Sequence, residues 1–290
     1  MKILPLLKIL TIAIAVTLSI SSCTREENDS RKIASNLVIV ADNEQGSYFM
    51  TKLLGEVRSA FPNIHITYLQ SKLFDVTEGS FLLKTAVESF PEGTVVAGIL
   101  EPGGGSRKIV FQANSRLVFA PDNTLSTRIF NDFPGTECYF VENSSVLGGQ
   151  QASELALEEF YARGICSLIS GIDVSKFGSL CSNPNTFAVQ NPVMQGDSIL
   201  GEILFADTFG NCITNIPESL IVNIPLGTTL SLNSGTTALA MKLGTTYSSV
   251  PVGDNVCFIN SSNLLEISIN YGNFSSTYNL FAGSHISIKP

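Results

Sequence analysis

Histidine is almost missing: His65 and His285 are the only two in 290 residues. No two cysteines form a Cys-x-x-Cys pair either, so no zinc site is expected, and no metal. Basic residues are scarce too. Seventeen Lys and Arg stand against 25 Asp and Glu, a net charge of −8. That argues against a nucleic-acid partner, which is held by basic surface. Charged residues make up only 14% of the chain, so Ser, Thr and Asn take much of the surface role. There are no internal repeats and no low-complexity tracts.

The apolar stretch Ile9 to Ile20 is shorter than the roughly 20 residues a spanning helix needs. With Lys2 and Lys8 beside it, it has the form of a signal-peptide core. Ile20-Ser21-Ser22-Cys23 resembles a lipobox. Residues 1–22 are therefore expected to be a lipoprotein signal peptide, Cys23 the lipidated residue, and 23–31 a polar tether. The expected location is the cell envelope, anchored to a membrane by lipid: the outer membrane, on its periplasmic or its surface side. Losing Lys2 and Lys8 and no acid takes the net charge to −10. Five cysteines follow Cys23, and an odd number in an oxidising compartment leaves at least one thiol unpaired. Cys166 and Cys181 are the nearest pair in sequence, a spacing that does not by itself argue a bridge.

Residues 32–181 alternate strand and helix. Leu37-Val38-Ile39-Val40-Ala41 is a continuous apolar run, as in a strand covered on both faces, with Asp42 at its C-terminal end. Phe49, Met50, Leu53, Leu54, Val57 and Phe61 recur at helical spacing. Asp75 and Glu78 look like a capping pair for a helix to about Ser89, and Thr94 to Leu100 reads as a buried strand. Lys108 to Ala113 and Arg116 to Ala120 read as a hairpin, Cys138 to Val141 as a strand, and Gln150 to Arg163 as a helix closed by Gly164. Ser182-Asn183-Pro184-Asn185 opens a linker, 182–197. From 198 to 290 short strands alternate with Gly, Asn and Ser turns, Leu220 to Ile224 among the strands, with no convincing helix. This reads as a small β-barrel or sandwich.

One bend in that second half is unusually polar. Asp207, Asn211, Thr214 and Asn215 crowd the turn between two apolar runs, with Phe209-Gly210 at its tip. Either it is a simple hairpin with a Gly-Asn corner, or it is a loop that reads a small polar ligand. Asp42 likewise is either a ligand-facing carboxylate or an N-cap or solvated loop residue. Pro102-Gly103-Gly104-Gly105 lacks the Gly-Lys-Ser/Thr that a phosphate loop needs, and reads as a tight turn.

The bend, Asp207-Thr208-Phe209-Gly210-Asn211 through Thr214-Asn215-Ile216, resembles the signature loop of the S-adenosylmethionine (SAM) hydroxide adenosyltransferase family, the SAM hydrolases related to SAM-dependent chlorinase and fluorinase. Three further stretches agree in order. Pro91-Glu92-Gly93-Thr94-Val95 leads to Glu101-Pro102-Gly103-Gly104-Gly105, Pro121-Asp122-Asn123 follows, and Asn260-Ser261-Ser262 leads to Leu265-Glu266-Ile267. The resemblance runs from about Leu37 to the C-terminus. It implies a Rossmann-like α/β domain followed by a small β-barrel domain. The implied assembly is a homotrimer whose pockets lie between one copy's first domain and its neighbour's second. SAM is substrate or ligand, with no separate cofactor.

The family's site residues carry over to Asp42 for the ribose, Asp207 for the methionine ammonium, Phe209 and Asn211 for the adenine, and Ser261 near the methionine end. Asp42 is followed here by Asn43-Glu44 rather than Phe-Gly. The family's water-activating Asp-Arg-His set is not matched; Gly148 stands at its histidine. Catalytic residues stay unassigned. Two functions remain: a SAM hydrolase, or a non-catalytic or weakly active binder of SAM or adenosine-like ligands.

Overall fold

The computed structural model describes residues 33–102 and 104–290. The leader 1–22, Cys23 and the tether 23–31 lie outside the described residues.

β1 (Asn36–Ala41) lies between two parallel neighbours, β2 (His65–Gln70) and β3 (Val95–Ile99). Its side chains alternate between two cores, which explains the unbroken apolar run. Leu37, Ile39 and Ala41 pack with Met50, Leu53 and Val57 of α1 (Tyr48–Ala60), whereas Val38 and Val40 pack with Phe81, Leu83 and Val87 of α2 (Val76–Ser89). The expected cap is in place, with the Asp75 carboxylate accepting from Glu78 N at 2.9 Å. β4 (Lys108–Ala113) and β5 (Arg116–Pro121) form the expected hairpin, turning on Asn114 and Ser115 at φ +46° and +62°. With β6 (Cys138–Phe140) the sheet order is β2-β1-β3-β5-β4-β6. β1 and β3 therefore flank the point where the strand order reverses, and an open α/β sheet places a ligand at that point.

Two expectations fail in this half. α3 (Thr127–Asp132) has no counterpart in the sequence reading. The helix expected from Gln150 to Arg163 is instead α4 (Leu157–Ile169), preceded by a 3-10 turn at Ala152–Glu154. Gly164 lies buried inside α4 against Phe119, so it serves close packing and not a C-cap.

The second sheet contains β7 (Val193–Gln195), which falls in the expected linker, then β8 (Ser198–Ala206), β9 (Cys212–Pro217), β10 (Thr229–Ser234) and β11 (Thr237–Leu243). β12 (Asn255–Ile259), β13 (Leu264–Ile269) and β14 (His285–Lys289) complete it. β14 pairs with both β10 and β8, so seven strands close into a barrel with β7 outside. The sandwich alternative is thereby excluded. Leu220 to Ile224 is not a strand: Ile221 N and Val222 N both donate to Glu218 O, which makes a helical turn. A short helix, α5 (Phe274–Tyr278), follows β13 where none was expected.

The two sheets pack through α2, α3 and β8. Phe81 stacks on Phe205 at 5.8 Å, and Arg128 pairs with Glu202 at 2.8 Å, both side chains buried.

Candidate functional site

The β8–β9 loop is built by Asp207. One carboxylate oxygen accepts from Phe209 N at 2.9 Å and Asn211 N at 2.8 Å; the other accepts from Asn211 Nδ2 at 2.9 Å. Gly210, at φ +86°, has no room for a Cβ because the Asn273 amide packs against it. The loop therefore tucks Asn211 in, buried, and leaves Phe209 76% exposed. A hydrogen-bonded chain continues from there. The Tyr247 hydroxyl sits 3.5 Å from Asn211 Nδ2 and donates to Glu266 at 2.7 Å, and Asn260 Nδ2 donates to the other Glu266 oxygen at 3.3 Å. Desolvation and the Glu266 carboxylate raise the Tyr247 pKa.

These groups border an open cavity of about 720 Å³, lined among others by Asp207, Phe209, Asn211, Tyr247, Asn270 and Tyr271. Three of the expected ligand residues, Asp207, Phe209 and Asn211, thus share one cavity. Ser261 does not line it; it is exposed in the β12–β13 turn, next to Asn260. Thr214 and Asn215 serve the barrel instead: Thr214 donates to Leu265 O at 2.8 Å, and Asn215 accepts from Glu202 N at 2.8 Å.

Asp42 lies elsewhere, at the C-terminal end of β1. It is nearly buried, and its carboxylate accepts from Phe74 N at 3.0 Å. Burial, and then the Asp42 charge, push the Tyr68 hydroxyl up to about 12. Phe74, which makes the bond to Asp42, is 61% exposed and holds φ +60°; Leu73 beside it and Tyr48 at the start of α1 are exposed too. Asp42 is not among the residues that line the Asp207 cavity.

Just past β3, the structure reveals a residue that the sequence reading passed over. One oxygen of Glu101 accepts from Lys108 Nζ at 2.7 Å and from the Tyr161 hydroxyl at 2.5 Å, with Glu101 and Lys108 each 7% exposed. Its other oxygen is buried and has no hydrogen-bond partner among the described residues. Burial, then Glu101, then Asp42 raise the Tyr161 pKa, so one tyrosine senses both carboxylates. The signal in the sequence was an acid directly after a buried strand, masked by the Pro-Gly run that follows. Tyr247 and Phe74 carried no local signal. His65 and His285 are exposed strand residues, as expected, and neither lines the Asp207 cavity.

Residues 37–178 match the family described as the SAM hydroxide adenosyltransferase N-terminal domain, and residues 201–287 match its C-terminal domain. Among named relatives the chain is similar to an (R)-S-adenosyl-L-methionine hydrolase of Thermus thermophilus, 24% identical over 222 residues, which are 74% of this chain and 83% of the relative. It is also similar to a fluorinase of Actinoplanes sp., 25% identical over 269 residues, 81% and 90% of the two chains. Among solved structures, an uncharacterised conserved protein from Thermotoga maritima superposes with a TM-score of 0.79 at 22% identity, over 88% of this chain and 100% of that one. A conserved hypothetical protein from Thermus thermophilus does so with 0.67 at 20%, over 87% and 99%. These two share the fold.

Proposed function

Because this chain belongs to the SAM hydroxide adenosyltransferase family, we propose that it binds SAM and hydrolyses it to adenosine and methionine. The observation that carries this reading is the cavity in which a carboxylate, an amide and exposed aromatic rings converge. Asp207 takes the methionine ammonium, a charge-assisted pairing. Phe209 packs on the adenine and Asn211 hydrogen-bonds it; Asp42 accepts from the ribose hydroxyls, and Ser261 stands at the methionine end. Aromatic rings are exposed near both Asp42 and Asp207, and Asp42 is not among the residues that line the Asp207 cavity. A head-to-tail ring of copies, in this reading a homotrimer, sets Asp42 of one copy opposite Asp207 of the next.

In the reaction a water oxygen bonds to the ribose 5′ carbon as the carbon–sulfur bond breaks. The electron pair goes to sulfur, so methionine leaves as a neutral thioether and needs no acid. The water's proton needs an acceptor. The unpartnered Glu101 oxygen beside Asp42 is suited to that, since a buried acceptor without a donor is unfavourable until one arrives. A second reading, binding without turnover, is favoured by the Lys108 ammonium already on Glu101 and by the absence of either histidine from the lining of the Asp207 cavity.

Incubating purified protein with SAM and separating the products decides between them. Adenosine and methionine in equal amounts support hydrolysis; tight SAM binding without product supports the binder; no binding rejects both. We also propose lipid anchoring through Cys23 in the cell envelope, on the lipobox-like Ile20-Ser21-Ser22-Cys23. Membrane-fraction recovery that survives Cys23→Ala overturns it.

A further inference from the structure

The turn after β13 carries a strained aromatic that no step above uses. Gly272 N donates to Ile269 O at 3.0 Å, so Asn270 and Tyr271 are the central residues of a four-residue turn. Tyr271 sits at φ +58°. Gly or Asn ordinarily fills such a place, because a bulky side chain in the left-handed region is strained. The backbone around it is pinned. Asn270 N donates to Asp254 O at 3.0 Å, Asn270 Nδ2 to Val250 O at 2.7 Å, and Gly253 N to Asn270 O at 2.8 Å. The outcome is a tyrosine 93% exposed to solvent on the rim of the 720 Å³ cavity. A ring in water gains nothing from that strain, and strain of this kind concentrates where a ligand is held. The turn is also fixed to the Phe209 loop: Ser275 N donates to Gly210 O at 3.0 Å, and Asn273 packs on Gly210. Two exposed aromatic rings are thus presented to one cavity by two loops that are bonded together.

We propose that Tyr271 determines ligand specificity, its ring covering the planar heteroaromatic base of the bound nucleoside. This rests on the reading of the cavity as a nucleoside site and adds what selects the base there.

The substitution Tyr271→Gly separates this from a structural role, because it relieves the turn while removing the ring. Calorimetry with adenosine is expected to show affinity lowered roughly 5- to 100-fold, the range of base–aromatic stacking, while the thermal midpoint does not fall. Tyr271→Phe keeps wild-type affinity, and methionine, which has no ring, binds both variants like wild type. Unchanged adenosine affinity in Tyr271→Gly overturns the proposal and leaves the nucleoside reading standing. A smaller assembly by sedimentation with unchanged affinity per assembled site also overturns it, and makes the ring a contact between copies. Wild-type protein that binds neither adenosine nor SAM overturns both the proposal and the reading beneath it.

Discussion

Both oxygens of the Asp207 carboxylate only accept hydrogen bonds, so the Asn211 amide must turn its nitrogen toward them, at 2.9 Å. Its carbonyl oxygen is left to accept from a ligand. Asp207 therefore has two duties, shaping the loop and offering negative charge, and they can be told apart. A charge-assisted hydrogen bond is worth roughly 1.5–3 kcal/mol, so Asp207→Asn is expected to weaken SAM about 10- to 100-fold. Adenosine, which has no ammonium, should change far less. Equal losses for the two ligands by calorimetry would reduce Asp207 to a loop-shaping residue. At this scale the sequence exposed the polar load of the bend but not which groups face the ligand. Thr214 and Asn215 looked equivalent to Asp207 and Asn211, and barrel hydrogen bonds claim them. Tyr247 joins the site from 36 residues away and no local pattern predicts that contact.

Elements were legible where one local cause dominates. The β1 run, the Asp75 cap and the Asn114-Ser115 turn each contain their own reason. α4 did not, because its glycine answers to a distant ring. In an exposed helix Gly→Ala gains about 1 kcal/mol. At Gly164 a Cβ would stand 2.8 Å from Phe119 Cζ, with Cε2 of the same ring nearer still. Phe119 is fully buried and packed on Tyr161 at 5.3 Å, so it cannot give way. Overpacking of about 1–3 kcal/mol wins, and Gly164→Ala should lower the melting temperature by about 2–8 °C; a rise would show the pocket to be looser than its contacts indicate. The cysteines were equally illegible. Cys181 meets Cys138 across a pair of extended segments, Cys181 N donating to Cys138 O at 2.8 Å, and not its sequence neighbour Cys166. Burial pushes Cys138, Cys212 and Cys257 up to about 12, and burial with the Glu56 charge pushes Cys166 to about 11. A raised pKa keeps the thiol protonated, so the reactive thiolate is scarce at pH 8 and increases only as pH approaches those values. In native protein treated with iodoacetamide at pH 8 the described thiols should label slowly, with the partly buried Cys166 first. Rapid labelling of Cys138 or Cys212, read by mass spectrometry, would contradict the burial.

The order of an α/β half followed by a β-rich half was visible in the chain, but closure of the barrel was not. It depends on β14 returning to β8 across some eighty residues, with His285 opposite Glu202, and alternation along a strand does not name its partner. Nor can one chain's sequence say whether Asp42 and Asp207 meet within a copy or between copies. In the structure the Asp207 cavity is lined by barrel residues alone, while Asp42 stands at the C-terminal end of β1 in the other sheet, its carboxylate held by Phe74 N. Two unlike surfaces, each with exposed aromatics, suit a heterologous contact, which closes into a ring when the rotation permits. The proposed ring predicts complementation. Asp42→Ala spoils one face of a copy and Asp207→Ala the other, so each variant alone loses every pocket. Co-assembled at equal amounts, a pocket is whole when the copy giving the Asp42 face carries only Asp207→Ala and its neighbour carries only Asp42→Ala. Random mixing makes that about one pocket in four. High-affinity SAM sites counted by equilibrium dialysis should therefore return to roughly a quarter of the wild-type number per chain in the mixture, while either variant alone stays near zero. Pockets contained within one copy would recover no sites at any mixing ratio, because every chain then carries a damaged pocket of its own.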